Sequence, residues 1–171
     1  MSVQIIIDSG ADITPAQAVE LRRQGLSAAE IAACLELEKK NIKVLALLDT
    51  LEYLKKGRRI SKATAFAGSM LNIKPVITLN DGEVSMVGKA RGSRQGNNLL
   101  RELITDCGGI NFNRPYYLAY SGLSDALLQK YIADSADLWK PRTDSLPIAT
   151  VGCVIGAHAG PGAIAVAFFK N

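Results

Sequence analysis

The chain is poor in the residues that most often carry chemistry. It has one histidine and three cysteines in 171 residues. Cys34, Cys107 and Cys153 are odd in number and far apart, with no CxxC pair. That argues against a disulfide framework or a zinc site, and for buried free thiols in a reducing compartment. The single histidine has no evident serine or cysteine partner, so no nucleophile–base pair is visible. The opening MSVQIIIDSG lacks a basic region followed by a long apolar run, and no signal peptide is expected. No apolar run approaches the roughly 20 residues of a membrane-spanning helix. Basic residues cluster without a basic helix carrying interleaved aromatics, and no zinc-finger spacing occurs, which speaks against nucleic acid. No repeat or low-complexity segment is present. The expectation is a cytoplasmic protein with no metal, no cofactor and no integral membrane contact.

What is present is ordinary globular composition, 48% hydrophobic and 21% charged, with a net charge of +4. The organising stretch is Leu48–Gly92, LDTLEYLKKGRRISKATAFAGSMLNIKPVITLNDGEVSMVGKARG. It reads as helix, basic turn, helix and strand pair with almost no spare residues. Arginine-bearing glycine turns, Gly57–Ser61 and Gly88–Gly92, sit at its joints.

In chain order, Val3–Ile7 reads as a strand entering the turn Asp8-Ser9-Gly10. Thr14 caps a helix with Pro15 at its first position. Ser27 opens another, with Glu30 at the capping-box position. Ile42–Leu48 is a strand, and Asp49 is expected to cap the helix that Gly57 ends. Ser61 caps a helix whose Ala63, Phe66, Ala67, Met70 and Leu71 follow helical spacing. Ile73–Leu79 is a strand that Pro75 marks as an edge or an irregular start. Asn80-Asp81-Gly82 turns it into the antiparallel Glu83–Ala90. Ser93 and Ser124 open two further helices around the strand Pro115–Tyr120. Pro147–Ile155 reads as an apolar strand, His158–Gly162 as a tight turn and Ala163–Phe169 as a last strand. The pattern predicts an α/β fold of the α+β type. It is a two-layer domain with a mixed sheet of about six strands covered by helices on one face.

The stretch Leu48–Gly92 resembles the central signature of the DegV family of bacterial fatty-acid-binding proteins. The turn GCVIGAHAGPG at Gly152–Gly162, followed by a β run, resembles the same family's C-terminal signature. Order and separation fit as well, and the resemblance covers residues 40–171. Two departures stand out. Where the family has two glycines before an arginine, this chain has Gly57-Arg58-Arg59, which makes the turn less permissive. The chain is also short for a two-domain protein. It reads as one domain over 1–171, with a strand and helical lead-in at 1–40 and a core at 41–171. That corresponds mainly to the family's C-terminal domain, from a shortened gene, an excised fragment or a split protein.

The resemblance implies a long-chain fatty acid as ligand, with no cofactor and no chemistry of the chain's own. It also implies presentation of the carboxylate to a partner fatty-acid kinase. An apolar tunnel must hold the tail and a polar cradle the carboxylate. The expected tunnel wall is Ala63, Phe66, Ala67, Met70 and Ile73, with Ile164 and Phe168 from the last strand. The expected head-group rim is Arg59, Arg91, His158 and Ser61.

Each has a plainer reading. Arg59 and Arg91 follow a helix end and a strand end, where arginine commonly satisfies carbonyls or pairs with Asp49 or Glu83. A lone histidine in a turn is usually a structural hydrogen-bonder, and Ser61 is first an N-cap. Two alternatives to the carrier stay open. One is a degenerate domain acting as a non-lipid-binding interaction module, as a homodimer for instance. The other is a small enzyme using Arg59, Arg91 and His158 on an anionic substrate.

Overall fold

The computed structural model describes residues 22–60, 72–80 and 82–171. The expected first strand, the helix at Thr14, Ser61 with the helix it caps, and Asp81 lie outside the described residues. The chain divides into two compact units, Met1–Ile42 and Lys43–Asn171.

In the first unit the expected capping box is present. The Ser27 hydroxyl accepts from the Glu30 N–H, and the Glu30 carboxylate accepts the Ser27 N–H at 2.8 Å. The Ser27 hydroxyl also donates to that carboxylate at 2.7 Å, and this bond first, then the one from the Ser27 N–H, holds the Glu30 carboxyl below its usual pKa. Helix α1 follows at Ala28–Glu38 with Ile31 buried.

Among the described residues the sheet has six strands: β1 (Ile42–Leu47), β2 (Ile73–Asn80), β3 (Glu83–Arg91), β4 (Tyr116–Tyr120), β5 (Ile148–Thr150) and β6 (Ile164–Phe169), in the order β3-β2-β1-β6-β4-β5. β1 with β2, β2 with β3, and β4 with β6 pair antiparallel, while β4 and β5 are parallel, so the sheet is mixed as expected. Pro75 sits in β2, an interior strand, and not at an edge. Its carbonyl accepts the Leu48 N–H just beyond the end of β1. The N–H and C=O of a strand residue point to the same side, so the missing donor lies beside Leu48, one residue past the end of β1, and a register shift follows between Val76 and Ile77: Pro75 marks an irregular start.

Among the described residues the helices of the second unit are α2 (Glu52–Lys56), α3 (Ser93–Asp106), α4 (Ala126–Asp134), α5 (Ala136–Trp139) and α6 (Cys153–Ala159). Helices α3, α4 and α5 cover one sheet face. There Leu100, Ile104, Leu128, Tyr131 and Trp139 pack against Leu45, Leu47, Val76, Leu118, Ile164, Val166 and Phe168. A Cβ on Gly96 of α3 would come within 3.0 Å of Leu47, so glycine is what lets this helix lie so close to the sheet. Helices α2 and α6 are different: Leu54 of α2 and Ala159 of α6 pack with Leu48, Ile77 and Ala163 in a separate small cluster.

Several local expectations change. Asp49 does not cap α2. Its carboxylate pairs with the Lys74 ammonium instead, and the Thr50 hydroxyl accepts the Glu52 N–H at 3.2 Å. A charge-assisted pair is the stronger use of a carboxylate. Ser93 is the first helical residue, and Gly92 at φ 79° holds the cap position. The helix towards Trp139 is interrupted at Ser135, whose buried hydroxyl donates to the Tyr131 carbonyl and accepts from the Trp139 indole. The expected strand Pro147–Ile155 is only Ile148–Thr150. Cys153 onwards is helical, and His158 stands in the last turn of α6, not in a tight turn. A short apolar run does not distinguish strand from buried helix by period alone. The cysteines are free but not buried: Cys153 is exposed, and Cys34 and Cys107 are half-buried.

Candidate functional site

Strand alternation splits β6 into two kinds of side chain. Ile164, Val166 and Phe168 are buried in the large core. On the other side stand Ala165 and Ala167, with Ala163 just before the strand and Phe169 at its far end. Next to it β1 does the same, with Leu45 and Leu47 in the core and Val44 and Ala46 on the other side. The middle of the second face is therefore lined by small side chains, and a trough remains where a second layer would otherwise interdigitate.

That trough is a cavity of about 400 Å³, inside the range typical of small-molecule sites. Its floor is Val44, Ala46, Leu48, Ala163 and Ala165. Ile77, Leu79 and Val84 of the β2–β3 hairpin form one wall, and Leu54, Val151, Val154, Ile155 and Ala159 form the other. Among the described lining residues the polar side chains are Arg59, Thr78 and His158.

Arg59 and His158 meet the cavity where the ends of α2 and α6 join. The turn after α2 is fixed by three backbone bonds, Gly57 N–H to the Tyr53 carbonyl, Arg58 N–H to Lys55 and Arg59 N–H to Leu54, at 2.9–3.2 Å. Arg58 takes φ 53°, the left-handed region, where a side chain is strained. This is the position at which the sequence departs from a second glycine.

The other expected site residues lie elsewhere. Arg91 ends β3 opposite Ile73, its N–H donating to the Gln95 side chain at 3.2 Å, and neither residue lines the cavity. Ile164 is buried with the large core and also borders the cavity. Phe168 points wholly into the large core because it shares the parity of Val166. Ala63, Phe66, Ala67, Met70 and Ser61 lie outside the described residues. Val44 and Ala46 of β1 and the apolar Val154, Ile155 and Ala159 of α6 are additions to the expected set; the small–large alternation of β6 is the sequence signal that points to such a trough. Among the described residues no group of three or more His, Cys, Asp or Glu could hold a metal ion, and no helix is long and apolar enough to cross a membrane.

Fold and cavity together define a two-layer α/β domain whose mixed sheet carries an apolar, cation-tipped trough on one face. The chain belongs to the DegV family: the model for uncharacterised proteins of that family matches residues 6–171. A DegV domain-containing protein of Staphylococcus aureus strain MRSA252 is 30% identical over 155 residues, covering 90% of this chain and 54% of its own. A structure from Thermus thermophilus, described as fatty acid binding of a DegV family protein, is 29% identical at a TM-score of 0.74, covering 91% of this chain and 55% of its own. A fatty acid kinase B3 protein of Streptococcus pneumoniae, loaded with linoleic acid, shares the fold at a TM-score of 0.75 and 20% identity over 91% of this chain and 54% of its own. The chain thus spans about half the length of the relatives it matches.

Proposed function

We propose that this chain binds a long-chain fatty acid, tail in the alanine-floored cavity and carboxylate beside Arg59 and His158. The observation that carries the reading is the pairing of an apolar cavity with two cationic or hydrogen-bonding side chains at one joint. The Thermus thermophilus relative, described as fatty acid binding, supports it. Burying about ten methylenes would contribute on the order of 8 kcal/mol before the cost of ordering the chain. A carboxylate leaving water needs the charge-assisted partners that Arg59 and His158 offer.

In this reading the protein is a carrier and not an enzyme. It acts in the cytoplasm, and it presents the carboxylate to a kinase partner. Native mass spectrometry of protein purified from bacteria tests it: co-purified long-chain acids are expected, and a ligand-free preparation that takes up no added acid would sink it. A second reading, an interaction module that self-associates, is favoured by the exposure of Val154 and Ile155 at 69% and 60%. A ligand-free dimer in sedimentation would select it.

A further inference from the structure

A glycine stands at the α2–α6 joint where the backbone does not call for one. Gly57 has φ −75° and ψ 0°, a conformation open to any residue. The next residue, Arg58, adopts the left-handed conformation that favours glycine and is not glycine. Backbone freedom therefore does not explain Gly57, but space does. A Cβ on Gly57 would lie 2.8 Å from His158 Cε1 and closer still to Nδ1. The Nδ1–Cε1 edge of the imidazole thus rests directly on the Gly57 backbone. The contact is reciprocated across the joint. A Cβ on Gly160, just after α6, would meet the Tyr53 ring of α2 at 2.7 Å from Cε2 and 2.9 Å from Cγ. Each helix end seats a ring on the other's glycine.

We propose that Gly57 is a positioning residue for His158. It seats the imidazole by its Nδ1–Cε1 edge, and Nε2 is left as the nitrogen that meets the ligand carboxylate beside Arg59. The inference rests on the fatty-acid reading above and adds what fixes the ring. Gly57→Ala pushes the imidazole from its seat and leaves the apolar cavity in place.

The test compares a fatty acid with the fatty alcohol of the same chain length, which lacks the carboxylate. Gly57→Ala is expected to weaken the acid about tenfold or more, the scale of a charge-assisted hydrogen bond, and to leave the alcohol unchanged. In a His158→Ala background, Gly57→Ala should cost nothing further, because the two substitutions act through one side chain. Equal losses for acid and alcohol, or additive losses in the double variant, overturn the proposal. Melting temperatures give an arm that needs no ligand. Gly57→Ala should melt lower than wild type, and Gly57→Ala/His158→Ala should recover the part due to the clash. If Gly57→Ala fails to fold, a folded double variant still supports the seating, and an unfolded one overturns it. If the wild type binds no acid, the fatty-acid reading falls, while the melting arm still decides the seat.

Discussion

Replacing Ala165 by leucine should damage ligand binding and spare the fold. Ala165 pairs with Ala119 of β4 and lines the cavity, so its methyl faces space and not packed neighbours. Leucine adds three carbons there. If each displaces about one methylene of the ligand, the loss is about 2.4 kcal/mol, or roughly 60-fold in affinity. In a filled core the same enlargement would cost the fold about 1–3 kcal/mol. Here the added side chain covers apolar surface, and the melting temperature should hold or rise. The neighbouring residue provides the contrast. Val166 is fully buried on the opposite face. Val166→Ala should cost the fold about 2 kcal/mol, from two lost carbons and the void they leave, with little effect on affinity. Isothermal titration with a long-chain acid, alongside thermal melts, reads both quantities. The reasoning is refuted if Ala165→Leu destabilises the protein while binding persists, or if Val166→Ala is the variant that loses ligand.

Other consequences can be measured on the protein without ligand. Arg58→Gly should raise stability by about 0.5–1 kcal/mol in urea titrations, since it relieves a side chain held at φ 53°; a drop would mean that the arginine makes compensating contacts. Tyr131 is fully buried, its hydroxyl has no hydrogen-bond partner among the described residues because the nearby Ser135 hydroxyl is engaged by the Tyr131 carbonyl and the Trp139 indole, and burial pushes its pKa far up. Tyr131→Phe should therefore be at least as stable as wild type, with a gain on the order of 1 kcal/mol by chemical denaturation. The Asp134 carboxyl is held below its usual range, first by the Asn97 amide at 2.7 Å and then by Lys130 at 3.3 Å. A depressed folded pKa contributes stability above the unfolded value of about 3.9 and loses it as pH falls through the folded value. Asp134→Asn should accordingly be the less stable protein at pH 7, with the difference closing below about pH 4.

The parts of the fold that were legible in the sequence are those governed by local chemistry. The Ser27–Glu30 capping box, the strand at Ile42 and the antiparallel return of β3 on β2 all follow from residues within a few positions of one another. Tertiary partners reversed the rest. Asp49 left its cap for Lys74, and of the two readings of Pro75 the edge gave way to the irregular start, in an interior strand where β1 ends beside it. The run Cys153–Ala159 became a helix closing the cavity, although its β-branched start reads as strand. For the site, Arg59 and His158 both line the cavity, while Phe168 shares the parity of Ile164 and Val166 and so faces the large core. The fit of His158 onto Gly57 has no sequence signal at all, because the two residues are brought together only by the fold.

The most direct test of the account is an intermolecular NOE experiment on methyl-labelled protein with a long-chain fatty acid. The account predicts contacts from the acyl methylenes to the methyls of Ala46, Ala163 and Ala165, which form the cavity floor. Contacts confined to the α3–α4 face, or none at saturating acid, would contradict it.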